Sequence, residues 1–553
     1  MEFNLAQVHE TVERAVPDRE CIIFRDRRLT YGQVGDRTRR LANGLLARGL
    51  GAVTPRTELD HHESGQDHVA IYLHNGNEYL ESMLASYKAR VVPFNVNYRY
   101  VAEELEYLLD DAEARAIVFH SCFAPTLAAV RSRLPKLTTF IQVPDQSGID
   151  LLDGAEWYED VLANESDELP VQLVESWSPD DLYMLYTGGT TGMPKGVLWR
   201  QADIFVASLG GRKLENREEW ASLDELAAYA KNSGAKVAPI PPFMHGAAHW
   251  LAFNSFTNAN TLVIPPITDH FDASEVVEVI DSEHVEVILI VGDAFGRPIA
   301  EELEQHPRHL DSLLIIVSGG ATLSPGVKDR LVRAVPTMMV LDGLGASETG
   351  TQASQLTSKG QVASSGIFVP TAGAVVLSDD LASVLDPGHD EIGWVGQTGR
   401  IPLGYLNDRD KTADTFPIVG GQRYAVPGDR GRLLEDGRLK VYGREAVTIN
   451  TGGEKVFAEE VEQAIISHPS VRDCVVAGRA SQRWGEEVIA ITEIVSGHDV
   501  SDDEILDCAA QRIARFKLPK EIVRVETVLR SPSGKADYRW ARAAAADAQV
   551  GEP

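Results

Sequence analysis

The sequence predicts an α/β protein with a large N-terminal domain of mainly parallel sheets and a small α+β C-terminal domain. Three observations carry this. The chain has 553 residues, too many for one ordinary core at about 100–200 residues per domain. Short apolar runs at 69–73, 116–119, 182–186, 261–264, 287–291 and 313–317 alternate with helix-like stretches such as 78–90 and 102–112. That alternation is the pattern of layered α/β sheets. Near Asp436-Gly437 the texture changes: a hairpin signal over 434–439 leads into Val441-Tyr442-Gly443-Arg444. Beyond it, helices are expected at 458–467 and 502–515, and strands at 474–477, 487–494 and 521–525. The domain boundary falls at 444–446, giving domains 1–444 and 445–545 and a tail 546–553. The polar stretch 54–67, with Asp60-His61-His62-Glu63, reads as a surface loop.

Composition narrows the function. The hydrophobic content of 44% and charged content of 24% belong to globular chains and argue against disordered and fibrous classes. A net charge of −30 repels phosphodiester backbones and anionic lipid, which disfavours nucleic-acid and membrane-surface roles. The four cysteines, Cys21, Cys122, Cys474 and Cys508, are scattered without ligand spacing, so a reduced, cytoplasmic setting is expected. The start has no basic and apolar leader pattern, and no apolar run is long enough to span a bilayer.

The chemical signal begins where the run 182–186 enters Thr187-Gly188-Gly189-Thr190-Thr191-Gly192-Met193-Pro194-Lys195-Gly196. Glycines let the backbone turn N–H groups toward an anion, threonine hydroxyls add donors, and Lys195 adds charge. The string suits a triphosphate. It is not a Walker A loop, and Pro194 followed by Gly196-Val197-Leu198-Trp199 favours a second strand over a helix. A flexible Gly/Thr hairpin is the bland alternative.

This loop resembles the signature of the adenylate-forming superfamily, which includes acyl-CoA synthetases, peptide adenylation domains and luciferases. Further motifs follow in that family's order. Ser318-Gly319-Gly320-Ala321 resembles its adenine-pocket segment. Leu344-Gly345-Ala346-Ser347-Glu348 is similar to its Tyr-Gly-x-Thr-Glu, with Leu344 where an aromatic ring usually stacks on adenine. The resemblance gives Glu348 to Mg²⁺, with Thr187 as second ligand, and places Ser347 near the α-phosphate. Asp342 is a hypothetical acceptor for the adenine amino group. Asp429, in Pro427-Gly428-Asp429, and Arg444, in Gly443-Arg444, match the ribose-binding pair. Gly452, Gly453 and Lys455 lie in a segment similar to the pantetheine-tunnel loop, and Lys535, in Ser531-Pro532-Ser533-Gly534-Lys535, matches the adenylation lysine. Singly, each of these would be a turn residue or a solvated charge.

The resemblance implies further that the large domain includes a smaller β-barrel-like part. It implies a mobile C-terminal domain that rotates between two half-reactions. The hinge falls at Glu445-Ala446, where alanine replaces the usual Asp or Lys. Pro241-Pro242-Phe243-Met244-His245-Gly246-Ala247-Ala248-His249-Trp250 is similar to the segment at the carboxylate end of the acyl pocket. His245 takes the matching histidine's place, with His249 nearby, and the small Gly246, Ala247 and Ala248 imply an open channel. A zinc site on His245 and His249 lacks the glutamate of the zincin pattern. With the segments 292–298 and 342–350, this region looks most like actinobacterial long-chain and steroid side-chain CoA ligases. The expected reaction joins a carboxylic acid to CoA through an acyl-adenylate, with ATP, Mg²⁺ and CoA as participants and Lys535, Glu348 and His245 as catalytic groups. Loading of a carrier protein, a non-catalytic acyl-adenylate sensor, and a homodimeric state stay open at this point.

Overall fold

A computed structural model describes residues 2–187, 193–361, 366–451, 454–481, 485–531 and 534–548. The apolar runs become strands. Leu182–Thr187, Thr261–Ile264 and Val287–Ile290 form where expected, and 313–317 is realised two residues later as Ile315–Gly319. The helix-like stretches form Asn77–Lys88 and Ala102–Asp111.

Four sheets organise these elements. One is wholly parallel, in the order Val92–Asn95, His68–Tyr72, Ala114–His120, Thr139–Val143, Glu156–Trp157. The largest sheet carries parallel strands in the order Glu20–Phe24, Thr261–Ile264, Lys236–Pro239, Val287–Ile290, Ile315–Gly319, Met339–Ala346. At Gly350–Thr357 it turns antiparallel and stays so through the strands up to Leu439–Arg444. The third is the antiparallel pair Leu182–Thr187 and Lys195–Arg200, extended by Gly404–Tyr405. This is the second strand that Pro194 and Gly196 foretold.

The parallel half of the largest sheet sets the site. The carboxyl ends of four neighbouring strands feed the 241–246 segment, Gly292, Gly319-Gly320 and Gly345–Glu348 onto one edge. Ligands of such sheets collect outside the carboxyl ends because the connecting loops converge there.

Residues after Arg444 build the fourth sheet, in which Gly485–Ile494 pairs with Val471–Ser481 and, in parallel, with Glu521–Val525. Its apolar cluster, around Val461, Ile465, Val476 and Ile505, is its own. Ser501 and Glu504 form a capping box that starts the helix Asp502–Ala510. That helix stops short of residue 515: past Ala510 the bonds are mixed, i→i+3 at Gln511 N–Cys508 O and Arg512 N–Ala509 O and i→i+4 at Ile513 N–Ala509 O, as is common where a helix ends. Among the described residues, no helix is long and apolar enough to cross a membrane.

Candidate active site

One continuous cavity of about 2150 Å³ runs along the sheet's carboxyl edge. A pocket for one drug-sized ligand is roughly 300–1,000 Å³, so there is room for a nucleotide and a second large group together. Thr187, Ser318, Gly319, Gly320, Leu344 and Ser347 line one part, and His245, Gly246, Ala247, Trp250, Leu251 and Asn254 another. Lys535 enters from the C-terminal unit.

Lys535 is held in place by its loop. Gly534 has φ +77°, and a Cβ there would sit 3.0 Å from the Ala294 Cβ and 3.1 Å from the Val291 carbonyl oxygen. Only a residue without a side chain fits both that backbone and that approach. The turn closes through Gly534 N–Ser531 O at 2.8 Å and Ser531 N–Lys535 O at 2.8 Å. The Lys535 Cε then lies 3.7 Å from where a Gly320 Cβ would be. The ammonium keeps contact with the cavity space, yet the cleft walls surround it. That desolvation, with the nearby Arg444 charge, pulls its pKa below the ordinary lysine value, while Glu348 pulls the other way.

Glu348 is half-buried, and one carboxylate oxygen accepts the Tyr405 hydroxyl at 2.8 Å. The other oxygen, and the Thr187 hydroxyl on the cavity wall, are hard donors of the kind Mg²⁺ takes. In donor chemistry they suit the ion, although Glu348 itself stands behind Ser347 and outside the cavity lining. Asp429 and Arg444 face each other across paired strands, Arg444 Nε to Asp429 Oδ1 at 3.3 Å.

His245 ends the extended segment and precedes the helix Gly246–Thr257. Its Nε2 is buried without a hydrogen-bond partner, and burial, with Lys535 and His249 nearby, pushes its pKa down to about 3. A neutral imidazole with an unpaired nitrogen therefore borders the cavity.

Several expected site residues stand elsewhere. His249 is buried outside the cavity lining: its Nδ1 bonds the Phe243 carbonyl at 2.8 Å and its Nε2 the Tyr183 hydroxyl. The i, i+4 spacing misleads because His245 lies before the helix and does not share its faces. With both His249 nitrogens engaged, the pair offers zinc no second ligand. Ala248 likewise packs into the core. Asp342 points to the far side of its strand and pairs with the buried Lys328, so it cannot serve as the adenine acceptor. Its strand neighbours Leu341 and Gly343 line the cavity instead, as alternation along a strand requires. Ala321 is not part of the lining. The Lys195 ammonium is taken by Asp408, on the turn beyond Gly404–Tyr405. Glu445 is tied to both units, pairing with Lys455 on one side and with Arg430 at 3.6 Å and the Gly428 carbonyl at 3.0 Å on the other, while the Ala446 carbonyl accepts from Arg542 at 3.1 Å. Gly188, Gly189, Thr190, Thr191 and Gly192, and Gly452 and Gly453, lie outside the described residues.

Sequence reasoning missed Tyr405 and Asn95. Asn95 bonds the Tyr186 N–H and carbonyl and the Met244 carbonyl, all within 2.9 Å, and clamps the phosphate hairpin to the His245 segment. No local pattern marks a residue whose partners lie 91 and 149 positions away. A second acidic group, His9, Glu10 and Glu13, is no metal centre, because Lys88 and Arg39 already neutralise its carboxylates.

Comparison with known proteins follows the same lines. Residues 8–401 match the model of the AMP-binding enzyme family, and residues 460–535 that of the AMP-binding enzyme C-terminal domain. The chain is 50% identical over 541 residues to the medium-chain acyl-CoA ligase Mig of Mycobacterium avium, covering 98% of both. It is 37% identical to the 3-oxocholest-4-en-26-oate–CoA ligase of Rhodococcus rhodochrous, over 98% of this chain and 96% of that one. Among solved structures, the anthranilate CoA ligase AuaEII in complex with anthranoyl-AMP superposes with a TM-score of 0.81 at 21% identity, over 99% and 98% of the two chains. ATP-bound MatB from Rhodopseudomonas palustris superposes with a TM-score of 0.79 at 22% identity, over 99% and 100%. Both likenesses concern the fold.

Proposed function

The chain belongs to the AMP-binding enzyme family and is an AMP-forming acyl-CoA ligase that uses ATP, Mg²⁺ and CoA; from that premise we propose that Lys535, Glu348 and His245 activate a large apolar acid in the cavity described above. The observation that carries the reading is the placement of Lys535. Its side chain passes over Gly320, within electrostatic reach of Arg444 and Glu348, in the cavity that His245 also borders.

A carboxylate is a poor acyl donor because its leaving group is oxide. In the first step its oxygen attacks the ATP α-phosphorus and pyrophosphate leaves. Negative charge gathers between the two anionic groups, and the Lys535 ammonium stabilises it there, as a compact point charge on a loop can. Mg²⁺, when bound by Glu348 and Thr187, neutralises phosphate charge. Asp429 takes the two ribose hydroxyls, which suit one bidentate carboxylate, and Arg444 supports it. His245, neutral and unpaired, orients the acid's carboxyl end. In the second step the CoA thiol attacks the acyl carbon and AMP leaves. We assign that step to a rotated C-terminal domain, residues 445–545, turning at Glu445-Ala446 so that the 452–455 segment replaces Lys535.

For the acid we propose the medium- to long-chain and steroid side-chain classes. Supporting this are the cavity volume, the small Gly246 and Ala247 on its wall, and the acids on which the two relatives above act. Free ATP and CoA as substrates suit a cytoplasmic enzyme.

The test is a pair of single-turnover assays on Lys535→Ala. Adenylate formation from acid and ATP is expected to fall on the order of 10²-fold or more, the loss of one electrostatic stabiliser. Added acyl-AMP and CoA are expected to give thioester at the wild-type rate. Equal loss of both halves would refute the assignment of Lys535 to the first step.

A further inference from the structure

We propose that Tyr183 and His249 are positioning residues that lock the Trp250 indole as a rigid wall of the acyl chamber, and that this lock selects among acids. Trp250 lines the cavity next to Gly246, and its ring edge lies 3.5 Å from where a Gly246 Cβ would be. Behind it the polar atoms form one chain. The Trp250 Nε1 donates to the Tyr183 hydroxyl at 2.7 Å. The Tyr183 hydroxyl bonds the His249 Nε2. The His249 Nδ1 meets the Phe243 carbonyl at 2.8 Å.

The chemistry of each member fixes the direction. A carbonyl oxygen only accepts, so His249 Nδ1 carries the proton. A neutral imidazole then presents Nε2 as an acceptor, and the single hydroxyl proton of Tyr183 must go there. The hydroxyl's lone pair is left for the indole N–H, which can only donate. Each link has one arrangement. Tyr183 and His249 are buried, and burial keeps both neutral, with His249 lowered to about 4 and the Tyr183 phenol raised well above its ordinary value. The relay therefore keeps its direction through neutral pH.

The ends of the relay give it a role beyond satisfying buried groups. Tyr183 stands on the strand Leu182–Thr187 that leads to the phosphate hairpin, and Phe243 is two residues before His245. The relay thus sets the indole's position relative to both the nucleotide end and the carboxyl end of the acid. A tryptophan on a cavity wall has two free torsions; tied at Nε1 it has lost its swing. A fixed indole grips a slender chain and obstructs a wide ring system beside Gly246. A released one does the reverse.

The experiment compares wild type, Tyr183→Phe, Trp250→Phe and the double variant, with kcat/KM measured for octanoate, palmitate and a cholestenoic acid at saturating ATP and CoA. Tyr183→Phe leaves every lining atom of Trp250 in place, so a change in selectivity there cannot come from chamber volume. Each single variant is expected to raise the cholestenoate-to-octanoate ratio about five- to tenfold, the size of one neutral hydrogen bond. The double variant is expected to add little, because both substitutions break the same chain. Unchanged ratios in both single variants, or full additivity in the double, would overturn the relay. Should Tyr183→Phe fail to fold, His249→Leu, which breaks the same relay outside the cavity lining and keeps the indole, takes its place with the same expected ratio. The inference rests on reading this arm of the cavity as the acyl chamber. That reading fails separately, if Trp250→Phe raises KM for ATP or CoA while the ratios among acids stay fixed.

Discussion

Replacing Gly534 with alanine separates the docking of the Lys535 loop from its folding. The new Cβ meets the Ala294 Cβ at 3.0 Å and the Val291 carbonyl oxygen at 3.1 Å, where carbon contacts relax only near 3.5–4.0 Å. Two of the three nearest atoms belong to rigid wall, so the loop must withdraw. Overpacking of this kind costs about 1–3 kcal/mol, or about 5- to 150-fold in the docked population at 1.4 kcal/mol per factor of ten. The backbone charge is different. Alanine at φ +77° adds about 1–2 kcal/mol, but the turn is closed by its own bonds between Ser531, Gly534 and Lys535. That second cost therefore falls on docked and undocked loops alike and shows as a lower Tm. Single-turnover adenylation is expected to fall within the 5- to 150-fold range, while thioester formation from supplied acyl-AMP keeps its rate. If adenylation is unchanged, or if both half-reactions fall together in step with Tm, the docking argument is wrong.

Two further outcomes follow from carboxylates. Glu348→Gln keeps an acceptor for the Tyr405 hydroxyl and removes the charge; adenylation is expected to drop on the order of 10²-fold and to need more Mg²⁺. The same change removes the anion that holds the Lys535 proton, so the alkaline limb of the rate profile moves to lower pH; a wild-type Mg²⁺ dependence and an unmoved limb would remove Glu348 from the site. Glu462 is buried, accepts from the Val476 N–H at 2.9 Å, and burial together with Glu459 raises its pKa above the ordinary 4.5. The folded state thus binds its proton more tightly than the unfolded one, so stability is lost as pH rises from 4.5 through the raised value. Glu462→Gln removes that loss: its Tm is expected to exceed wild type at alkaline pH, with the gap closing toward 4.5; a gap independent of pH would show that the carboxyl is not titrating there.

The linear sequence determined much of this protein. Alternating apolar runs named the strands, because a strand buried on both faces is apolar throughout and short. The motifs around Thr187, Glu348, Asp429, Arg444 and Lys535 stood out as strings because each is a short run of neighbouring residues, and the runs follow one family's order. Gly534 could be read as part of a motif, but its reason, the wall formed by Val291 and Ala294, belongs to the fold. What only the tertiary structure decided is which way each side chain points and what it meets. Asp342 and His249 have the right chemistry in the right segments, yet Lys328 claims one, and Tyr183 with the Phe243 carbonyl the other. Lys195 is similarly taken by Asp408. Tyr405, Asn95 and the relay through Tyr183 carried no signal in the chain. Their partners lie 57 to 149 positions away and become neighbours only when the sheets stack, and hydrogen-bond capacity is met by distance in space, not along the sequence.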